Sequence, residues 1–245
     1  MAQEPLKVAG SFVTPPLDFT RGRKQVGMEV DWLREIAKKL DRDLEFVYAP
    51  QNGLDEWIAS NQCDILIGEL SSLQNVEAVM MSQPFLESSV SILVDQRLRP
   101  ALCCLEDLKT ATVGVLEHSL EADSIQKMYQ EGKIGKVVVY PLERTLDALA
   151  DLTTAQIDAF ARLSAVAAYL KYAAFNLKVI CSLPVVQHGL CFAIPSQEPS
   201  LVHQVNQAQC ALMQEGIYQK IMTKWFASEE FNIELAKDQS NKVDQ

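Results

Sequence analysis

Short apolar runs alternate with amphipathic stretches along nearly the whole chain, and that alternation limits the folds open to it. Leu6-Lys-Val-Ala-Gly10 reads as a buried strand. A turn-rich stretch follows through Thr14-Pro-Pro16 and Thr20-Arg-Gly-Arg23. Val30, Leu33, Ile36, Ala37 and Leu40 then recur at helical spacing, with Glu29, Arg34 and Lys38 on the opposite face. Leu44–Tyr48 and Asp64–Gly68 read as the next strands, with a short helix between them from Leu54 to Ala59 that puts Trp57 in the core. Strand, helix and strand at this spacing predict parallel βαβ units.

Ser89–Val94 is expected to cross into a second lobe that repeats the same grammar. Strands are expected at 112–116, 136–140, 157–160 and 179–181, and helices at 120–130, 144–152 and 164–171. Gly189–Ile194 would carry the chain back to the first lobe. Two helices then close the chain. One has Ser200 as N-cap, the apolar face Leu201, Val205, Ala208 and Leu212, and Gly216 as its stop. The other runs over 217–226. The expected fold is α/β and two-lobed: residues 1–92 and 190–227 form lobe one, and 93–189 form lobe two. Each lobe would be a mostly parallel sheet flanked by helices, joined by two crossover segments, with 228–245 a polar tail. Open α/β sheets take ligands at the carboxyl ends of their strands, so a cleft between the lobes is the expected site.

A formal net charge of −10 argues against the nucleic-acid backbone as a partner, because that contact needs clustered Lys and Arg. No apolar run reaches the roughly 20 residues that span a bilayer. The six cysteines show neither a C-x-x-C pair nor zinc spacing, and most sit in apolar runs as small hydrophobes. His118, His188 and His203 lack metal-ligand spacing, and His188, near the second crossover, reads as structural. No metal or cofactor is expected.

Several segments resemble, in order, landmarks of the type II periplasmic solute-binding proteins, the amino-acid-binding family 3 of ABC importers. Thr14-Pro-Pro-Leu-Asp-Phe19 resembles the family's aromatic-Pro-Pro-Phe segment, and Val26-Gly-Met-Glu-Val-Asp31 its Gly-Phe-Asp-Val-Asp. Gln62-Cys-Asp-Ile-Leu-Ile-Gly68 and Met81-Ser-Gln-Pro-Phe85 resemble its third-strand and Phe-Ser-Asp-Pro-Tyr segments. Leu105–Lys109 with Val113-Gly-Val115, Ile157-Asp-Ala159, Ala165–Leu170, Gly216–Ile221 and Lys224-Trp-Phe226 continue the series. The resemblance implies a Venus-flytrap receptor, periplasmic after removal of a leader, monomeric, and serving the permease subunits of an importer.

The departures from that pattern fall on ligand chemistry. Where the family places an Arg for the ligand's α-carboxylate, counting from Gly68 gives Asn75. Its Thr-Asp pair, whose Asp takes the α-ammonium, aligns with Arg162-Leu163. Its Gly-Ser-Thr anion turn becomes His118-Ser119-Leu120, the aromatic before Pro-Pro becomes Thr14, and a later aromatic becomes Gln51 or Asn52. A buried zwitterion without charge partners costs several kcal/mol, so the usual amino-acid clamp is not expected. The candidate ligand-binding residues are Thr14, Asp18, Gln51, Glu69, Ser71, Ser72, Asn75, His118, Ser119 and Arg162. Asp18 and Gln51 are placed at the rim, and Arg162 serves either as an anion holder or in a salt bridge across the lobes or to Glu117.

The leading expectation is a receptor for a small polar or anionic solute, with no catalytic residues. Two alternatives stay open. One is a signalling or interaction module that kept the fold without the ligand. The other is a dehydratase-like enzyme using Glu69 and His118 as an acid–base pair.

Overall fold

In a computed structural model, the described residues are 4–49, 58, 60, 62–68, 77–86, 89–173, 176–183 and 189–226. The helix expected over 54–59 with Trp57, apart from helical Ile58, lies outside them, as do His188 and the tail.

Thirteen strands are described: β1 (Leu6–Gly10), β2 (Val13–Thr14), β3 (Asp18–Arg21), β4 (Lys24–Val26), β5 (Leu44–Tyr48), β6 (Ile65–Leu66), β7 (Val79–Met81), β8 (Val90–Asp95), β9 (Thr112–Leu116), β10 (Lys136–Tyr140), β11 (Ala159–Leu163), β12 (Leu177–Leu183) and β13 (Ala193–Pro195). The helices are α1 (Met28–Lys39), α2 (Leu120–Gln130), α3 (Thr145–Thr153), α4 (Ser164–Ala173), α5 (Pro199–Gln214) and α6 (Ile217–Phe226), with short 3-10 turns at Glu106–Thr110 and Leu142–Arg144.

The larger strands form two five-stranded sheets, β5-β1-β6-β13-β7 and β10-β9-β11-β8-β12. The two orders are the same permutation. In each sheet the first three strands pair in parallel, and one antiparallel strand is inserted before the last. That inserted strand is β13 in the first sheet and β8 in the second, so in both it is the strand that arrives from the other sheet's stretch of chain.

Both sheets are covered on both faces, which is why their strands read as apolar runs. In β8, Val90, Ile92 and Val94 enter one apolar cluster with Val113, Val115, Ala159 and Ala161, while Leu93 faces another. Leu6, Val8, Ile65, Ile67 and Ile194 line one face of the first sheet; Ala9, Leu66 and Ala193 line the other with Ile58 and Cys63. The largest cluster continues from Leu6 and Trp32 through Phe85, Phe192 and Met222 into Phe160 and Leu163, so apolar packing joins the two sheets.

The two crossing segments run side by side. Phe85 N–H donates to Leu190 O at 2.9 Å, Leu190 N–H donates to Leu86 O at 2.7 Å, and the Phe85 and Phe192 rings stack at 4.4 Å. Beyond them, α1 packs on α5 and α6. Trp32 is fully buried, donates from Nε1 to Gln209 at 3.1 Å, and meets the Tyr218 ring edge-on. Asp31 ties α1 to α6 by accepting from Lys224 Nζ at 2.6 Å and Trp225 Nε1 at 2.9 Å.

The structure corrects several sequence expectations. The stretch read as turns holds β2, β3 and β4, a small antiparallel meander whose hairpin turns at Gly22-Arg23. Two to four residues per strand are too few for a readable alternation. β7 also escaped the sequence reading. β11 begins at Ala159, not Ile157, because Asp158 is spent on capping: its carboxylate accepts from Thr112 N–H and Arg99. β12 extends to seven residues. Ser200 is not an N-cap, since α5 begins at Pro199, a residue suited to the first helical turn, and Glu198 precedes it. All six cysteines are free thiols. Burial pushes the Cys63 thiol up to about 12, and Cys181 and Cys191 to about 11. Cys103 and Cys210 are exposed, unlike the buried hydrophobe expected of most.

Candidate functional site

The carboxyl end of β6 is built from α1 inward. The chain enters α1 through Gly27, whose φ of 140° an L side chain rarely adopts; a Cβ there would lie 2.0 Å from Leu17 O. That close approach lets Met28 and Glu29 N–H donate to Pro16 O at 2.9 Å and Leu17 O at 3.0 Å, which satisfies orphan donors of the first turn. Glu29 is thereby aimed inward, and its Oε2 accepts Gly68 N–H at 3.0 Å. Asp18, on β3, accepts Phe12 N–H at 3.0 Å, and a Cβ on Gly68 would stand 3.8 Å from its Oδ2. Two carboxyl groups, 0% and 1% exposed, thus meet beside Gly68. Asp18 is therefore inside the first sheet's packing and not at a rim, because its side chain completes the backbone of the β1–β2 turn. Thr14 is buried opposite Asp18 in the β2–β3 ladder.

The carboxyl end of β9, in the second sheet, is built differently. β9 ends at Leu116, and His118 takes a left-handed φ of 56° to turn the chain into α2. His118 is exposed. Ser119 is buried, and its Oγ donates to Leu116 O at 2.8 Å, which locks the turn to the strand instead of capping the helix. Glu121, in the first turn of α2, is 0% exposed, and Arg162 on the neighbouring β11 is 1% exposed. Arg162 Nη1 donates to Glu121 Oε1 at 2.5 Å. The sequence reading offered Arg162 as an anion holder or in a salt bridge across the lobes or to Glu117. Among the described residues it meets the carboxylate of Glu121, because α2 packs over β11.

Opposite Arg162 on the neighbouring strand β8 stands Ser91. Ser91 Oγ lies 2.7 Å from Ser164 Oγ and 3.2 Å from Ser182 Oγ, and Ser89 Oγ lies 2.6 Å from Ser164 Oγ. Ser164 in turn donates to Ser89 O at 2.9 Å. This hydroxyl chain links β8, the start of α4 and β12. Among the described residues, no group of three or more His, Cys, Asp or Glu is placed to hold a metal ion.

Of the residues expected to bind ligand, Gln51, Glu69, Ser71, Ser72 and Asn75 lie outside the described residues. The described ones fall into two groups: Thr14 and Asp18 at the first sheet, and His118, Ser119 and Arg162 at the second. The sequence reading put Glu29 on the outward face of α1, whereas it is buried because its carboxylate turns in to the Gly68 N–H. It missed Glu121 and the serine chain. An acidic residue in a first helical turn is the ordinary complement to the helix dipole, so Glu121 gave no separate signal.

The profile of the bacterial extracellular solute-binding proteins, family 3, matches residues 6–228. A putative amino-acid ABC transporter-binding protein of Vibrio harveyi, PatH, is 25% identical over 218 residues, covering 87% of this chain and 85% of its own length. Among solved structures, an ancestral arginine-binding protein bound to arginine aligns with a TM-score of 0.76 at 25% identity, over 92% of this chain and 100% of that one. The ancestral amino acid-binding protein AncCDT-1, a precursor of cyclohexadienyl dehydratase, aligns with a TM-score of 0.73 at 24% identity, over 91% of this chain and 95% of that one, a likeness of fold alone. The two sheets with their flanking helices are the two-lobed periplasmic-binding-protein fold. The chain belongs to the bacterial extracellular solute-binding proteins, family 3.

Proposed function

We propose that this protein is the periplasmic solute receptor of an ABC-type importer. It captures a small polar or anionic solute by closing two lobes about a hinge, without the family's zwitterion clamp. Lobe one comprises 1–92 and 190–227, and lobe two 93–189. The hinge carries this reading: the crossing segments are bonded at Phe85–Leu190 and Leu190–Leu86, and they run between the two five-stranded sheets. A ligand that touches both lobes shifts such a hinge toward its closed state. The relation to PatH, a putative amino-acid ABC transporter-binding protein, supports import of an amino-acid-like solute. In this reading the receptor acts as a monomer and serves the importer's permease subunits.

The proposed site draws Thr14 and the segment with Glu69, Ser71, Ser72 and Asn75 from lobe one, with Gln51 as a rim contact and Asp18 buried beside Gly68. Lobe two contributes His118, Ser119 and Arg162. A thermal-shift screen of protein unfolded and refolded to strip carried-over solute tests the function. The panel is amino acids, dipeptides, organic acids, polyamines and sulfur compounds. One class is expected to raise the Tm saturably, by about 2.7 kcal/mol of stabilisation at 100 times its Kd. A flat response across the panel would overturn the receptor reading in favour of a ligand-free interaction module.

A further inference from the structure

The structure assigns Glu121 a role in specificity: it is a carboxylate supplied by the chain itself to the buried Arg162 guanidinium at the N-terminus of α2. Two elements that proteins use to hold a free carboxylate converge there. One is a guanidinium, Arg162. The other is the first turn of an eleven-residue helix, α2, whose terminus favours negative charge. Both are already engaged by Glu121, with Nη1 and Oε1 2.5 Å apart and neither residue more than 1% exposed.

Stability alone does not account for the arrangement. A buried ion pair loses to desolvation much of what it gains in attraction, and a well-packed apolar pair often does as well. The chemical effect of the pair is to compensate the buried Arg162 guanidinium from within the chain. An incoming carboxylate would have to displace Glu121 from Arg162 and stand beside its charge. The solute therefore presents an uncharged polar end, such as an amide or a hydroxyl, to this wall. This last step rests on the receptor reading above; the latent carboxylate site does not.

The test is chemical rescue of Glu121→Ala, which removes the carboxylate and leaves room for a small acid. Its Tm should fall relative to wild type. Acetate should then raise it saturably, by at least about 2 °C over chloride at equal ionic strength. Wild type should respond alike to the two salts, and Glu121→Ala with Arg162→Met should lose the acetate response. Equal responses of Glu121→Ala to acetate and chloride would overturn the assignment. If that variant accumulates only as insoluble protein, its refolding yield gives the same reading: higher in acetate supports the latent site, equal in both salts refutes it. The specificity step is read on wild type, by comparing L-amino acids with their C-terminal carboxamides. Stabilisation by the carboxamides at least 10-fold tighter than by the acids supports it. Stabilisation by the free acids that vanishes in Arg162→Met refutes it. A wild type that ignores both sets refutes the specificity step, and the receptor reading falls with it only if the rest of the solute panel is also flat; the acetate result stands for the latent site in either case.

Discussion

The two sheets share one strand order yet bury charge in opposite ways. At the first, one oxygen each of Asp18 and Glu29 accepts from the backbone N–H groups of Phe12 and Gly68. At the second, one oxygen of Glu121 accepts from a side chain of opposite charge. Backbone donors are fixed by the fold and cannot leave, so the first wall is set once the β1–β2 turn and β6 have formed. An arginine can be removed or competed for, so the second wall is the adjustable one. One topology thus accommodates two electrostatic designs.

The largest effect is expected where the first wall depends on close backbone approach. Gly27→Ala forces a Cβ toward Leu17 O and should cost about 5 kcal/mol or more, read as loss of soluble protein and of far-UV circular dichroism. Arg162→Met leaves the Glu121 carboxylate buried and should cost about 3–5 kcal/mol in denaturant melts. Adding Glu121→Leu should recover most of that loss, because the double variant buries neither charge. If the double variant is no more stable than Arg162→Met, the pair is not the coupled unit described here. Glu29→Ala strips one acceptor from Gly68 N–H and should cost about 1–3 kcal/mol, with no dependence on the residue at 162.

Asp31 provides the smallest and most pH-dependent contrast. Burial raises its carboxyl pKa, but the hydrogen bonds from Lys224 and Trp225, with Lys224's charge and Arg34, outweigh that and hold it below the usual 3.8. A depressed carboxyl stabilises the fold above its unfolded pKa, and the contribution fades as pH falls through the lower folded value. Asp31→Asn should cost about 1 kcal/mol at pH 7 and make the acid limb below about pH 4 shallower. An unchanged acid limb would assign it to other carboxyl groups.

Long periodic segments were legible because one element decides them. The apolar face of α1 and the runs of β1, β5, β9 and β10 follow from local spacing, and α2 and α6 match their expected spans. The short meander of β2, β3 and β4 was not legible, since its residues also make good turns. The Arg162–Glu121 pair was hidden for a different reason. The residues are 41 apart, and each looks ordinary in its own element. Asp18 was legible as important but misplaced, because the sequence shows an acid after Pro-Pro-Leu and not the backbone N–H it turns to meet.

The shared strand order also bears on how the protein is made. The second sheet takes all its strands from 90–183, beginning with its antiparallel strand β8. The first takes four strands from residues 6–81 and must wait for Ala193–Pro195, which lies between β6 and β7. A chain emerging from the ribosome folds its contiguous units as they appear. The nascent chain can therefore complete its later half while its earlier half still has a gap through the middle, and the segment translated first is the one finished last.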